Sequence, residues 1–230
     1  MIPLLNQEGV GGGLLSEGWG AAAGRRNARL RACPSHPHFS SHRGIIPRKA
    51  LASKDQQGLR VVDAMRFDSV DEISHSGFQG FVPISTLQAS NCRELPDVPG
   101  VYLVLRPIKT RPVFLRQSAG GHFKSKNPTV AINELKNSWV EESVAVYIGK
   151  AAGTGMKASL RSRLIQYMRF GQGKAVGHWG GRYLWQLRHS GSLVVCWKST
   201  PSADPRVVEK GLLQEFKATY GRRPFANRRG

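Results

Sequence analysis

The sequence predicts an α+β fold, a single domain from about Ser76 to Arg229 in which helices pack on a small mixed sheet. Three observations carry that expectation. Apolar runs of strand length, rich in β-branched and aromatic residues, stand at VYLVLR (101–106), VAVYIG (144–149) and SLVVCWK (192–198). Two segments repeat apolar residues with the helical period, one around Leu160–Met168 and one around Val208–Phe216. The connections between most of these elements are short, which favours packing of neighbours in one layered unit.

The elements follow in order. Residues 1–64 have no sustained period and are rich in Gly, Ser, Pro and Arg, so they are expected to be disordered, or to precede a true start at Met65. A transit peptide is disfavoured by Glu8 and Glu17 and by the missing amphipathic pattern. FQGFVPISTLQAS (78–90) reads as a short strand and then a helix capped by Ser85, followed by the turn LPDVPG. After the strand VYLVLR, an insertion at about 107–143 holds a short strand at PVFLR, a polar loop around SAGGHFKSKNP and a helical turn in TVAINELKNSW. Leu160, Leu164, Tyr167 and Met168 make ASLRSRLIQYMRF an amphipathic helix with arginines on its flanks. GRYLWQLR and SLVVCWK read as two strands joined by the turn HSG. The last helix is punctuated by Asp204 as cap, Pro205 in the first position and Gly221 at the end. Val208, Leu212, Leu213 and Phe216 form its apolar stripe, with Glu209 on the border.

Charge narrows the function. The 230 residues contain 34 Lys plus Arg against 15 Asp plus Glu, a net +19, and an excess of this sign favours a polyanionic partner such as DNA. No carboxylate stands between Glu142 and Asp204, whereas Lys150, Lys157, Arg161, Arg163, Arg169, Lys174, Arg182, Arg188 and Lys198 all do; a merely solvated surface would mix both signs. No apolar run approaches the roughly 20 residues of a membrane span. Cys33, Cys92 and Cys196 are widely separated, which suits a reducing, cytoplasmic setting. Cys33, His36, His38 and His42 lack zinc-finger spacing, and no metal site is expected there.

Hydrolysis of a phosphodiester needs a base for water, a cation for the non-bridging oxygens, and a metal or acid for the leaving oxygen. Tyr102 and Tyr147 lie in two strand-like runs, where paired strands can aim both hydroxyls at one spot. A phenol titrates near ~10, so an adjacent ammonium such as Lys150 and a nearby metal are expected to lower it. Arg163 can fork onto a phosphate, and Glu209 can hold Mg²⁺ through one carboxylate with water completing the shell.

In this order, PGVYLV, VYIGKA, LRSRLIQY, VEKGLLQEF and PFAN resemble the motifs of the GIY-YIG nuclease family, over about residues 97–229. Gly100–Val101–Tyr102 matches the first tripeptide in a variant form, and Tyr147–Ile148–Gly149 matches the second unaltered. Arg163 takes the family's arginine position, Tyr167 its aromatic or histidine position, Glu209 its metal-binding glutamate, and Asn227 its C-terminal asparagine. The resemblance implies a three-stranded antiparallel sheet flanked by helices, a tyrosine general base and one divalent metal, Mg²⁺ or Mn²⁺. It also implies endonucleolytic cleavage of DNA to 5′-phosphate and 3′-hydroxyl ends. The catalytic set expected here is Tyr102, Tyr147, Lys150, Arg163, Tyr167 and Glu209, with Glu209 as the metal ligand. Arg161, Arg169, Lys157, His178, Arg182 and Asn227 are the expected DNA contacts. His178 has a second reading as a turn residue beside Trp179, and Trp179, Tyr183 and Trp185 read as core or as a stacking surface.

Two departures from the family stand out. Residues 103–146 separate the two tyrosines, more than in compact members, a length that loop closure tolerates; His122, Lys124 and Lys126 of this insertion can reach DNA or simply cover the core. Glu215 is nearer the family's usual spacing from Asn227, but it lies about 240° round the helix from Glu209 and is the fallback ligand. The alternative function is a nucleic-acid-binding module of the same fold without catalysis.

Overall fold

The centre of the sheet is the strand β2 (Gly100–Leu105), which is buried on both faces along its whole length. The computed structural model describes residues 65–152 and 159–228, all within one compact unit, Gly58–Gly230. The N-terminal extension, the Cys33–His42 stretch and Lys157 lie outside the described residues.

In chain order the elements are α1 (Val70–His75), β1 (Gln79–Pro83), α2 (Ile84–Ser90), β2, α3 (Ile132–Ser138), β3 (Ala145–Ala151), α4 (Leu160–Gly171), β4 (Val194–Ser199) and α5 (Pro205–Tyr220). The sheet is antiparallel throughout, in the order β1-β4-β2-β3, with Tyr102 opposite Gly149 on one side and opposite Trp197 on the other. It therefore has four strands rather than three, β1 adding to the edge beyond β4. Strand parity divides the core into two layers. Tyr102, Val104, Tyr147, Ala151, Val195 and Trp197 pack with α2, α3 and α4. Val101, Leu103, Leu105, Ile148 and Cys196 pack with α1 and α5.

Local chemistry explains the helix ends. Ser159 caps α4 by a reciprocal capping box with Ser162. Asp204 accepts a hydrogen bond from the Arg206 amide at 2.8 Å, Pro205 takes the first position, and Gly221 closes α5 at φ +71°. On α5, Phe216 is fully buried while Val208, Leu212 and Leu213 are half-buried against the same layer.

Four expectations need correction. The packed unit begins ahead of Ser76, because Phe67 and Ile73 are fully buried and Phe67 packs 5.1 Å from Phe216. Ser85 lies inside α2, whose N-cap is Pro83 with no side-chain bond. GRYLWQLR is not a strand: Gly181, at φ +72°, leads into a 3-10 segment, Arg182–Gln186, in which consecutive residues Tyr183, Leu184 and Trp185 are all buried. PVFLR is reduced to one bridge, Phe114 to Leu187.

The insertion covers the core and is stitched to that 3-10 segment. Gln186 donates to the Leu115 and Val130 carbonyls at 2.9 and 2.8 Å and accepts from the Val130 amide at 2.8 Å. Trp139 and Phe114 pack on Phe225 at 5.0 and 5.8 Å, while His122, Lys124 and Lys126 stay exposed.

Candidate active site

β3 is one of the two edge strands of the sheet, and the side chains of interest meet beside it. Parity sends Tyr147 to the α4 layer and Lys150 to the α5 layer, so an edge position lets groups from both faces approach one cleft. That cleft, of about 350 Å³, is lined by Tyr147, Lys150, Ala151, Ala152, Arg163, Gln166 and Glu209. Lys150 makes an ion pair with Glu209 across it, the two side chains being 36% and 15% exposed. Glu209 is also the one carboxylate among the described residues lining this cleft and the adjoining cavity.

The tyrosines form a stepped stack behind the cleft. Tyr102 and Tyr147 are diagonal neighbours on one face, with ring centroids 6.0 Å apart, and Tyr147 to Tyr167 is 5.8 Å. The Tyr102 hydroxyl is wholly buried beside the Tyr147 hydroxyl and the Arg163 guanidinium, without a well-formed hydrogen bond to either. Burial pushes the Tyr102 phenol above its ordinary range, and the Arg163 charge opposes this. Burial raises Tyr147 well above that range, with Tyr102 adding to it and Arg163 opposing. Arg163, not Lys150, is therefore the cation acting on the phenols, and Lys150 is engaged by Glu209 instead.

Tyr167 is farther from solvent. Burial raises its phenol strongly, and its hydroxyl donates to the Gly181 carbonyl at 2.9 Å. It holds the wall behind Tyr147 rather than facing the cleft. The φ of +72° at Gly181 and the 2.3 Å that a Cβ there would leave to the Tyr167 hydroxyl explain why no side chain stands at this position.

Three expected DNA contacts are placed otherwise. His178 is 1% exposed and stacks on Tyr167 at 4.2 Å, with no hydrogen-bond partner for either ring nitrogen. Burial, aided by Arg163, holds it well below the usual imidazole range, so it is a neutral core residue. Asn227 spends its amide on β3, donating to the Ile148 carbonyl at 2.8 Å and accepting from the Ile148 amide at 2.9 Å. It satisfies an edge strand from the side. Arg161 donates to the Leu95 and Arg93 carbonyls at 2.8 and 3.4 Å, which ties it to the loop before β2. Arg169 is exposed on α4, and Arg182 lines the adjoining cavity. Glu215 lines neither cavity, so the fallback ligand is set aside.

The role of Asn227 has a measurable consequence. Asn227→Ala leaves both Ile148 backbone groups without their partner and is expected to cost about 2 kcal/mol. The variant should show a lower urea midpoint at an unchanged slope.

Sequence reasoning passed over Gln166, which stands one turn beyond Arg163 on the same side of α4; the three-residue spacing is the signal that would have found it. No family model matches the chain, and neither the curated proteins nor the solved structures contain a match to it.

Proposed function

We propose that this protein is a divalent-metal-dependent endonuclease that hydrolyses phosphodiester bonds in DNA, in the manner of the GIY-YIG nucleases it resembles. One observation carries the proposal. Tyr147 from β3, Arg163 from α4 and Glu209 from α5, together with Lys150, converge on one open cleft from segments far apart in sequence. A base candidate, two cations and a carboxylate are the groups that this hydrolysis needs.

The donor set fits a hard cation. Among the described residues no cluster of three or more His, Cys, Asp or Glu exists, but Mg²⁺ is commonly held by one or two carboxylates, substrate phosphate and water. Glu209 would hold it, and the ion would supply Lewis-acid charge to the leaving oxygen. Lys150 must then leave Glu209, and a phosphate entering the cleft is the anion that can take its ammonium. Arg163 would bracket the non-bridging oxygens, where its planar fork matches phosphate. Tyr147, nearest the cleft, would orient the attacking water and, in the fraction of molecules whose phenol has released its proton to solvent, take the water's proton as phenolate, with Tyr102 behind it. Because burial holds both phenols protonated at neutral pH, cleavage is expected to rise about tenfold per pH unit between about 6 and 9.

A non-catalytic DNA-binding module is the second reading, favoured by one fact, that Lys150 already neutralises the single carboxylate. Supercoiled plasmid separates the two. The nuclease converts it to nicked and linear forms with Mg²⁺ or Mn²⁺ and not with EDTA, faster at higher pH. Plasmid left intact under every divalent ion, with a gel shift retained, decides for the binding module.

A further inference from the structure

A second cavity, of about 280 Å³, adjoins the first, and Tyr147, Lys150 and Glu209 line both. We infer that this second cavity receives an unpaired nucleobase, so that the substrate class is DNA with an unpaired nucleotide beside the scissile phosphate. The inference rests on the nuclease reading only for where the scissile phosphate sits.

The first argument is an aromatic that folding leaves open. Trp179, at the cavity wall, is 36% exposed and is the one exposed large aromatic among the described residues, whereas Tyr183 and Trp185 of the same region are 0% and 1% exposed. The Arg182 guanidinium lies over Trp179 at 4.9 Å and over Tyr183 at 5.2 Å. An indole and a guanidinium held together in this way present the two surfaces on which unstacked bases settle. A paired duplex keeps its base faces inside the stack and offers an exposed indole nothing to stack on.

The second argument is charge. Arg182 makes no ion pair among the described residues, and its buried Nε–H has no hydrogen-bond partner. Arg228, on the same cavity, is by contrast neutralised by Glu134 at 2.8 Å. Arg182 therefore keeps its positive charge for the strand that carries the base.

The third argument is the wall between the cavity and the tyrosine stack. It includes Gly180 and Gly181, where added Cβ atoms would fall 3.1 Å from the Tyr147 hydroxyl and 2.3 Å from the Tyr167 hydroxyl. The missing side chains let the backbone lie directly against the two hydroxyls, so this wall of the cavity is thin and a base seated there is close to Tyr147. The Asn227 amide, which also lines the cavity, is held against β3 by its two hydrogen bonds to Ile148 and is not free to turn toward a base edge. Recognition is accordingly by stacking and tolerant of base identity.

The test is binding by the full chain in EDTA, where cleavage cannot occur. Two short duplexes are compared, one fully paired and one carrying 2-aminopurine as a single unpaired nucleotide. The unpaired substrate should bind about tenfold more tightly, and its 2-aminopurine emission should fall on binding. Trp179→Ala should bring the affinity ratio to about one and abolish the quench, and Trp179→Phe should restore most of both. Equal affinity of the wild type for the two duplexes, or a ratio and quench that survive in Trp179→Ala, overturns the inference. A stacking signal in a protein that never cleaves plasmid leaves the cavity assignment standing and removes the nuclease reading. Cleavage with no preference for unpaired substrate does the reverse.

Discussion

Glu209→Gln should lower metal-dependent cleavage by about a thousandfold while the protein stays folded and still binds DNA. The substitution keeps the shape of the side chain and removes its charge, so the packing of α5 is undisturbed. Its partner Lys150 has a side chain 36% exposed, so the freed ammonium can be hydrated, and the loss of the ion pair should change stability by about 1 kcal/mol or less. DNA affinity should hold or increase, because a negative charge has left the cleft and Lys150 is free to meet phosphate. Mn²⁺ titration by calorimetry in the absence of DNA supplies a readout independent of turnover, and the heat of binding should vanish in Glu209→Gln. Glu215→Gln, outside both cavities, should cleave as the wild type does. If cleavage survives in Glu209→Gln and is lost in Glu215→Gln, the cleft is not where the metal acts.

The parts of this fold that are legible in the sequence are those whose signals are local. β2 and β3 are largely apolar runs, α4 carries a helical stripe, and α5 carries both a stripe and caps, so residue order alone suffices to place each of them. Segment 182–186 misleads because Tyr183 and Trp185 alternate as in a half-buried strand; the burial of Leu184 between them shows that the alternation is incidental. α1 escapes because six residues with one buried side chain, Ile73, are too short to show a period. Within the site, the identities of Tyr147, Lys150, Arg163 and Glu209 are readable, but not the place where they meet. That depends on β3 being at a sheet edge, a property of strand order. Asn227 and Arg161 look like free polar groups because their partners, Ile148 and Leu95, are distant in the chain. Tyr102 and Tyr147 keep their positions but lose the expected route to a lowered pKa, since burial outweighs the nearby cation.

Gly149→Ala should be more damaging than its single methyl group suggests. Gly149 faces Tyr102 directly in the β2–β3 register, and a Cβ there would stand 2.4 Å from Tyr102 Cζ and 2.6 Å from its hydroxyl oxygen. The ring of Tyr102 thus lies across the glycine, and it has little room to retreat: it is fully buried, with Tyr147 beside it at 6.0 Å. Overpacking of this kind costs roughly 1–3 kcal/mol, partly offset by about 0.5–1 kcal/mol for removing a glycine from a strand, so a net loss of about 1–2 kcal/mol is expected. The larger effect is on the site. A Tyr102 ring displaced toward Tyr147 shifts both hydroxyls relative to Arg163, and misplacement by about 1 Å is enough to cost roughly a hundredfold in rate. Cleavage under single-turnover conditions should fall by that factor at a temperature where the variant remains folded, as checked by its thermal midpoint. The clash also predicts coupling: in a Tyr102→Ala background the same glycine substitution should no longer destabilise, because the atoms it strikes are gone. Equal destabilisation by Gly149→Ala in both backgrounds would mean that the ring does not cross the glycine, and the geometry that brings the two hydroxyls together would have to be abandoned.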